Sequence, residues 1–198
     1  MKKLPIYFYI QDTLTVAKKL IGCFLVRKIY NKYIIGRINE TEAYIGSIDK
    51  ACHAYPNKLT KRTYPLFCRG GIAYIYLIYG IYYCLNVVTE NKNIPAAVLI
   101  RGVEILDGVE QASINRYKLS YTSLSKYQLI NLSNGPGKLC KCFDIDKRLN
   151  QESLLSENLF ICNKINSRTK QVDKITENKR IGIDYAEEAK DFLWRFNG

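Results

Sequence analysis

No cysteine in this chain lies three residues from another, and it has a single histidine, His53. A structural zinc site takes four Cys or His ligands in spaced pairs, so Cys140-Lys141-Cys142 is poor material for one, and no metal is expected. Seven cysteines, Cys23, Cys52, Cys68, Cys84, Cys140, Cys142 and Cys162, are odd in number and irregular in spacing. Most sit in apolar runs and read as small buried hydrophobes, reduced in a cytosol. No run approaches membrane-spanning length, which argues against a membrane protein. The N-terminal "MKKLPIYFYIQDT" imitates a signal peptide but is too short, contains Pro5 and lacks a small-residue cleavage site, so a cytoplasmic location is expected. Internal repeats, low-complexity tracts and linkers are absent too, and residues 1–198 are expected to form one domain.

What is present in excess is positive charge. Thirty Lys and Arg against 18 Asp and Glu leave a formal +12 on 198 residues, 47% of them apolar. An excess of that size attracts polyanions, nucleic acid or an anionic membrane surface. A coding bias toward Lys, Asn, Ile and Tyr explains some of the lysine but not the clustering of aromatics. "YIYLIYGIYY" (74–83) places five tyrosines around Gly80.

Along the chain, Asp12 or Thr13 caps a helix carrying Leu14, Ala17, Leu20 and Ile21 and closed by Gly22. "CFLVRKIY" and "YIIGRINETEAY" read as strands joined at Asn31-Lys32. Residues 45–71 are a long polar connection with a helical turn expected around Ser47–Ala54. Residues 72–88 form a second hairpin turning at Gly80, and 96–106 a buried strand. A helix over 107–118 and a polar loop follow, then a turn into a helix at 134–145 with Pro136 near its start. A strand at 158–165 and a tail bearing Trp194 and Phe196 complete the chain. Strands outnumber helices and adjoin one another, which predicts an α+β fold: a curved, mostly antiparallel sheet, surrounding helices and a protruding hairpin.

Alternation puts Glu40, Glu42 and Tyr44 on one face of the first long strand, and Thr41 and Ala43 on the other. Two carboxylates beside an aromatic suit acid–base chemistry, whereas an edge strand would leave them in water. Glycosidase-type paired carboxylates do not fit, because same-strand neighbours do not face each other across a bond. His53 follows in the long loop, where a structural and a functional histidine are equally expected. On the second hairpin Ile72, Tyr74, Tyr76 and Ile78 share a face, and Tyr79 stands at the tip, where a bulky ring suits a wedge between base steps. Arg101 ends the apolar run "AAVLIR" and, if buried, needs a carboxylate, for which Glu42 is the candidate. Asn86 is polar inside an apolar strand and needs a partner or a ligand.

"GRINETEAYIGSIDKACHAY", "GIAYIYLIYGIYYCLNVV", "PAAVLIRGVEIL", "NGPGKLC" and "RIGIDYAEEAKDFLWRF" occur in that order. Together they resemble the alkyladenine (methylpurine, 3-methyladenine) DNA glycosylase family, from about Val16 to Phe196. The resemblance implies an enzyme that flips alkylated or deaminated purines out of duplex DNA and hydrolyses the N-glycosidic bond without metal or cofactor. By that match Glu42 is the general base that activates a water, and Arg101 helps hold both, with a main-chain carbonyl near Ile181 also on the water. Tyr44 stacks on one face of the flipped base, and His53 and Tyr76 on the other, with the His53 amide reading the purine edge. Asn86 crowds the guanine amino group, and Tyr79 fills the gap left in the duplex. The implied partner is double-stranded DNA containing damaged purines, which would associate the protein with the nucleoid; the expected state is a monomer. Two departures stand out: "TKRTYPLF" (60–67) keeps Arg62 and Phe67 of the family's pattern but has Lys61, Thr63, Pro65 and Leu66, and Leu193 replaces a proline. The competing readings are a non-catalytic nucleic-acid-binding domain on the same fold and a tyrosine-rich structural or membrane-surface protein.

Overall fold

The fourteen-residue strand "KYIIGRINETEAYI", β2 (Lys32–Ile45), is the axis of the fold. The computed structural model describes residues 1–163, 172 and 174–198. Along one edge β2 pairs antiparallel with β5 (Ala96–Asp107) over nearly its whole length. Its other edge is shared between β1 (Phe24–Ile29), which takes Lys32–Arg37, and β8 (Arg195–Asn197), which takes Glu40–Glu42. With β3 (Ala73–Ile78), β4 (Tyr82–Val88) and β6 (Leu159–Cys162), the main path runs β3-β4-β5-β2-β1-β6. Another strand, β7 (Thr176–Asn178), extends the sheet beyond β8. All pairings between these strands are antiparallel. The α+β fold expected from strand adjacency is therefore the observed one.

Register irregularities between Ile38 and Glu40 and between Glu40 and Thr41 break the β2–β5 ladder just before the Glu42 side chain. Bulges bend a strand and re-aim side chains, and they cluster beside functional sites. Here the bend leaves Thr41 pointing into the core, donating to the Ala17 carbonyl at 2.9 Å, while Glu40 and Glu42 point the other way.

Five α-helices lie among the described residues: α1 (Ile6–Tyr9), α2 (Thr13–Leu20), α3 (Val109–Tyr117), α4 (Lys126–Ile130) and α5 (Pro136–Cys142). The Asp12 side chain caps α2 by accepting from the Thr15 amide, and Gly22 at φ 85° lets the chain turn back into β1. Val16, Ala17 and Leu20 of α2 join Ile38, Ile100, Phe143 and Phe196 in the principal core. No helix among the described residues is long and apolar enough to cross a membrane, and no disulfide is formed there.

Local differences from the sequence reading have simple causes. The β1–β2 turn falls on Tyr30-Asn31, one residue earlier than expected, because Ile29 pairs with Lys32 and Tyr30 accepts φ 52°. Residues 47–54 form successive turns rather than a helical turn, since the Asp49 carboxylate takes the Ala51 amide instead of leaving it to a helix. Short helix α4 occupies part of the expected polar loop, nucleated by a capping box between Ser125 and Gln128, and α1 occupies a stretch for which no element was expected. Of the strand expected at 158–165, Leu159–Cys162 is formed, and 164–165 lie outside the described residues. In the departing 60–67 segment, buried Thr63 donates to the Lys58 carbonyl and accepts from the Thr60 amide. Pro65 opens a 3-10 turn at Tyr64–Phe67, and Leu66 is buried beneath Tyr74 and Tyr76. Thr63, Pro65 and Leu66 thus give this loop its own hydrogen bonds and packing.

Candidate active site

The far end of β2, the β3–β4 hairpin, β5 and the loop after β7 enclose a cavity of about 560 Å³ whose lining includes Tyr44, His53, Tyr76, Tyr79, Arg101 and Ile181. Its size lies in the range of small-ligand sites. Behind it is a recess of about 30 Å³ between Tyr44, His53, Tyr76 and Asn86, room for roughly one water. Six of the seven residues singled out from the sequence line one or both of these spaces; Glu42 lines neither, and is joined to them through its hydrogen bonds to Tyr44 and Ile181.

Glu42 is completely buried. Reading it as an edge-strand residue in water fails because β5 and β8 flank it on both sides. Its Oε1 accepts from the Ile181 amide at 3.0 Å and lies 3.6 Å from Arg101, while its Oε2 accepts from the Tyr44 hydroxyl at 2.8 Å. Burial raises the Glu42 pKa above the usual carboxylate range, against the opposing pull of Arg101 and of these two hydrogen bonds. A carboxylate held this way is a stronger base than one in water, yet it has donors that stabilise its anion. Arg101 reaches Glu42 as the sequence suggested, but it also lies 3.4 Å from Glu40, which in turn takes Arg195 at 2.9 Å. At Ile181 the group in contact with Glu42 is the main-chain amide.

The aromatic walls are equally constrained. His53 Nε2 lies 3.3 Å from the Arg62 guanidinium, which can only donate, so Nδ1 carries the proton and donates to the Tyr74 hydroxyl at 2.9 Å. Surrounding protein and the Arg62 charge lower the His53 pKa to about 4, although the ring keeps an accessible surface. A neutral imidazole results, packed edge-on against Tyr76 with ring centroids 4.5 Å apart. Burial raises the Tyr76 and Tyr44 hydroxyl pKa values, so both are neutral phenols. Asn86 is buried, donates one hydrogen bond to the Tyr74 carbonyl at 3.1 Å and borders the recess.

Tyr79 stands apart from these. It is 82% exposed at the hairpin tip, where Tyr79 (φ 53°) and Gly80 (φ 70°) adopt the left-handed pair of a tight turn. Ile81 and Leu77 are exposed beside it, giving the tip an apolar point.

Sequence reasoning missed several neighbours. Tyr82 lines the cavity, lies under the Lys141 ammonium at 4.6 Å and packs so closely on Gly137 that a Cβ there would sit 2.7 Å from its ring. Cys84, paired opposite Tyr76, also lines it, its thiol pushed up to about 11 by burial. Lys138, between Asn131 and Asn134, adds positive charge at the wall. Asp49 and Arg180 form a wholly buried pair behind Tyr44. The "NGPGKLC" and "RIGID" segments were visible, but only folding shows that they close this cavity. Among the described residues no cluster of three or more His, Cys, Asp or Glu side chains is placed to hold a metal ion.

A deep cleft with aromatic walls, a dry carboxylate behind them and a projecting aromatic beside them is suited to take a flat base out of a stack and act on the bond that holds it. Residues 7–197 match the model of the methylpurine-DNA glycosylase family, and the chain belongs to that family. It is 50% identical over 197 residues to a Clostridioides difficile (strain 630) protein named "Putative 3-methyladenine DNA glycosylase", covering 96% of each chain. Proteins of the same name from Clostridium perfringens (strain 13 / Type A) and Desulfitobacterium hafniense (strain Y51) are 53% and 45% identical; the matches span 96% and 99% of this chain and 92% and 95% of theirs.

Proposed function

We propose that this protein is a monofunctional DNA glycosylase of base-excision repair, acting on 3-methyladenine and other alkylated purines, and on hypoxanthine, in duplex DNA. The observation that carries the reading is the buried Glu42 carboxylate, hydrogen-bonded by Tyr44 and Ile181, two residues of a cavity also walled by His53 and Tyr76.

The damaged nucleotide rotates out of the helix, and Tyr79 enters the space it leaves. Its base stacks between Tyr44 on one face and His53 with Tyr76 on the other, and such stacking contributes about 1–3 kcal/mol against an unstacking cost of a few. Glu42, ionised, takes a proton from a water that Arg101 helps to orient. The water oxygen bonds to the sugar's anomeric carbon, and the glycosidic electron pair leaves with the base. An alkylated purine departs readily because it is already cationic, whereas hypoxanthine requires protonation as it leaves. Asn86 excludes guanine by crowding its exocyclic amine. The net +12 charge supports association with the phosphate backbone, and the enzyme acts as a monomer.

The test is incubation with duplexes carrying one alkylated adenine or one hypoxanthine, followed by mild alkali to cleave at abasic sites. Strand breaks at the lesion and none in the unmodified duplex are expected. Tight duplex binding with no abasic product from either lesion would overturn the enzyme reading in favour of a binding domain.

A further inference from the structure

One buried ion pair joins the parts of this site without touching the cavity. Arg180 and Asp49, 131 positions apart in sequence, both have fully buried side chains. The guanidinium donates to both Asp49 carboxylate oxygens, to the Ala43 carbonyl at 2.8 Å and to the Ala189 carbonyl at 3.0 Å. Asp49 also accepts from the Ala51 amide at 2.9 Å, two residues before His53. One side chain therefore fastens the end of β2, the loop that carries His53 and the C-terminal loop.

Its plane also supports the cavity wall. The Arg180 Cζ lies 4.7 Å from the centroid of the Tyr44 ring and 5.2 Å from that of Trp194, the chain's only tryptophan. Tyr44 lines the cavity and Arg180 does not, so the guanidinium stacks on the ring from outside the cavity. The next residue, Ile181, is the one whose amide reaches Glu42. A buried ion pair gains little net stability over an apolar replacement; its planar, bidentate geometry adds orientation instead.

We propose that Arg180, held by Asp49, is a positioning residue for excision: it sets the Tyr44 ring and the Ile181 amide that together align Glu42. The proposal rests on the glycosylase reading above. Glu42 faces Arg101 from β5, Glu40 and Tyr44 from β2, Cys84 from β4 and the Ile181 amide from the C-terminal loop. Arg180 governs two of these, the Tyr44 and Ile181 donors, and both favour the Glu42 anion. Loosening them makes Glu42 hold its proton to higher pH.

Arg180→Lys keeps the charge but loses the fork and the stacking plane, and Asp49→Asn keeps the shape of the acceptor. Both are compared with wild type by thermal unfolding, duplex affinity and single-turnover excision of a cationic alkylpurine across pH. A second readout is Trp194 fluorescence, excited beyond nucleic-acid absorption, on binding lesion duplex in a Glu42→Gln background. Folded variants with duplex affinity within about twofold, excision slowed by about 10²-fold and the acid limb moved to higher pH are expected. The Trp194 response to the lesion should shrink in both. A folded variant with wild-type rate and an unshifted limb would overturn the proposal, as would failure of both variants to fold. Inactive wild type on every lesion would instead overturn the glycosylase reading, and the Trp194 response would still decide whether Arg180 senses the occupied cavity.

Discussion

Tyr44 and Tyr79 line the same cavity, yet one is locked and the other free. Tyr44 gives its hydroxyl to Glu42 and has a guanidinium behind its ring, whereas Tyr79 is 82% exposed on a turn with open space around Gly80. Chemistry at a fixed bond needs a wall that does not move, and burial supplies that at the cost of an uneasy carboxylate. Entry into a deformable duplex needs a projecting group that the core does not hold. Residues of the first kind are costly to fold around and rigid; those of the second contribute little to stability and are replaceable without harm to the fold.

The largest break in this comparison is expected at the locked end. Glu42→Gln should slow excision by about 10²–10⁴-fold in single-turnover assays, with duplex affinity retained. The fold should not suffer. A carboxyl whose folded-state pKa is raised stabilises the fold below its unfolded pKa, and that contribution is lost as pH rises through the folded value. At neutral pH the ionised Glu42 is thus unfavourable to folding, and calorimetry should show a Glu42→Gln midpoint no lower than wild type. A clear drop would mean that the carboxylate is a structural anchor.

At the free end Tyr79→Ala removes one stacking contact of about 1–3 kcal/mol, so excision should slow by roughly 5–150-fold. Its unfolding free energy should stay within about 0.5 kcal/mol of wild type, as for other exposed positions. Equal losses of stability at Tyr44 and Tyr79 would erase the distinction. The smallest expected effect concerns His53. As the chain's only histidine, it gives a single set of imidazole resonances in an NMR titration, and these should move near pH 4 rather than near 6.5. A midpoint near 6.5 would mean that the Tyr74 and Arg62 contacts do not hold the ring.

Much of the site could be read from the chain because strand alternation is local. The shared face of Glu42 and Tyr44 and the Tyr74/Tyr76 face follow from a period of two, and the Tyr79 tip from the turn at Gly80; the structure keeps each. The apolar run "AAVLIR" likewise carried Arg101 to a carboxylate, and Glu40, on the same face as Glu42, is its second partner; the register shifts at Glu40 are what no alternation rule announces. The Asp49–Arg180 pair was illegible for a different reason: an aspartate in a polar loop and an arginine near the C-terminus look solvent-exposed until topology brings them together. Tyr82 and the Gly137 turn were hidden for the same reason, since their contact lies between elements far apart in sequence.

The claim that a dry carboxylate activates the water is tested most directly by the pH dependence of single-turnover excision of a cationic alkylpurine. That base needs no proton to depart, so the acid limb reports the attacking side alone. One ionisation with a pKa above the usual carboxylate range is expected for wild type, and no such limb in the residual rate of Glu42→Gln. A wild-type rate unchanged down through the ordinary carboxylate range, or an identical limb in both proteins, would contradict the role given to Glu42.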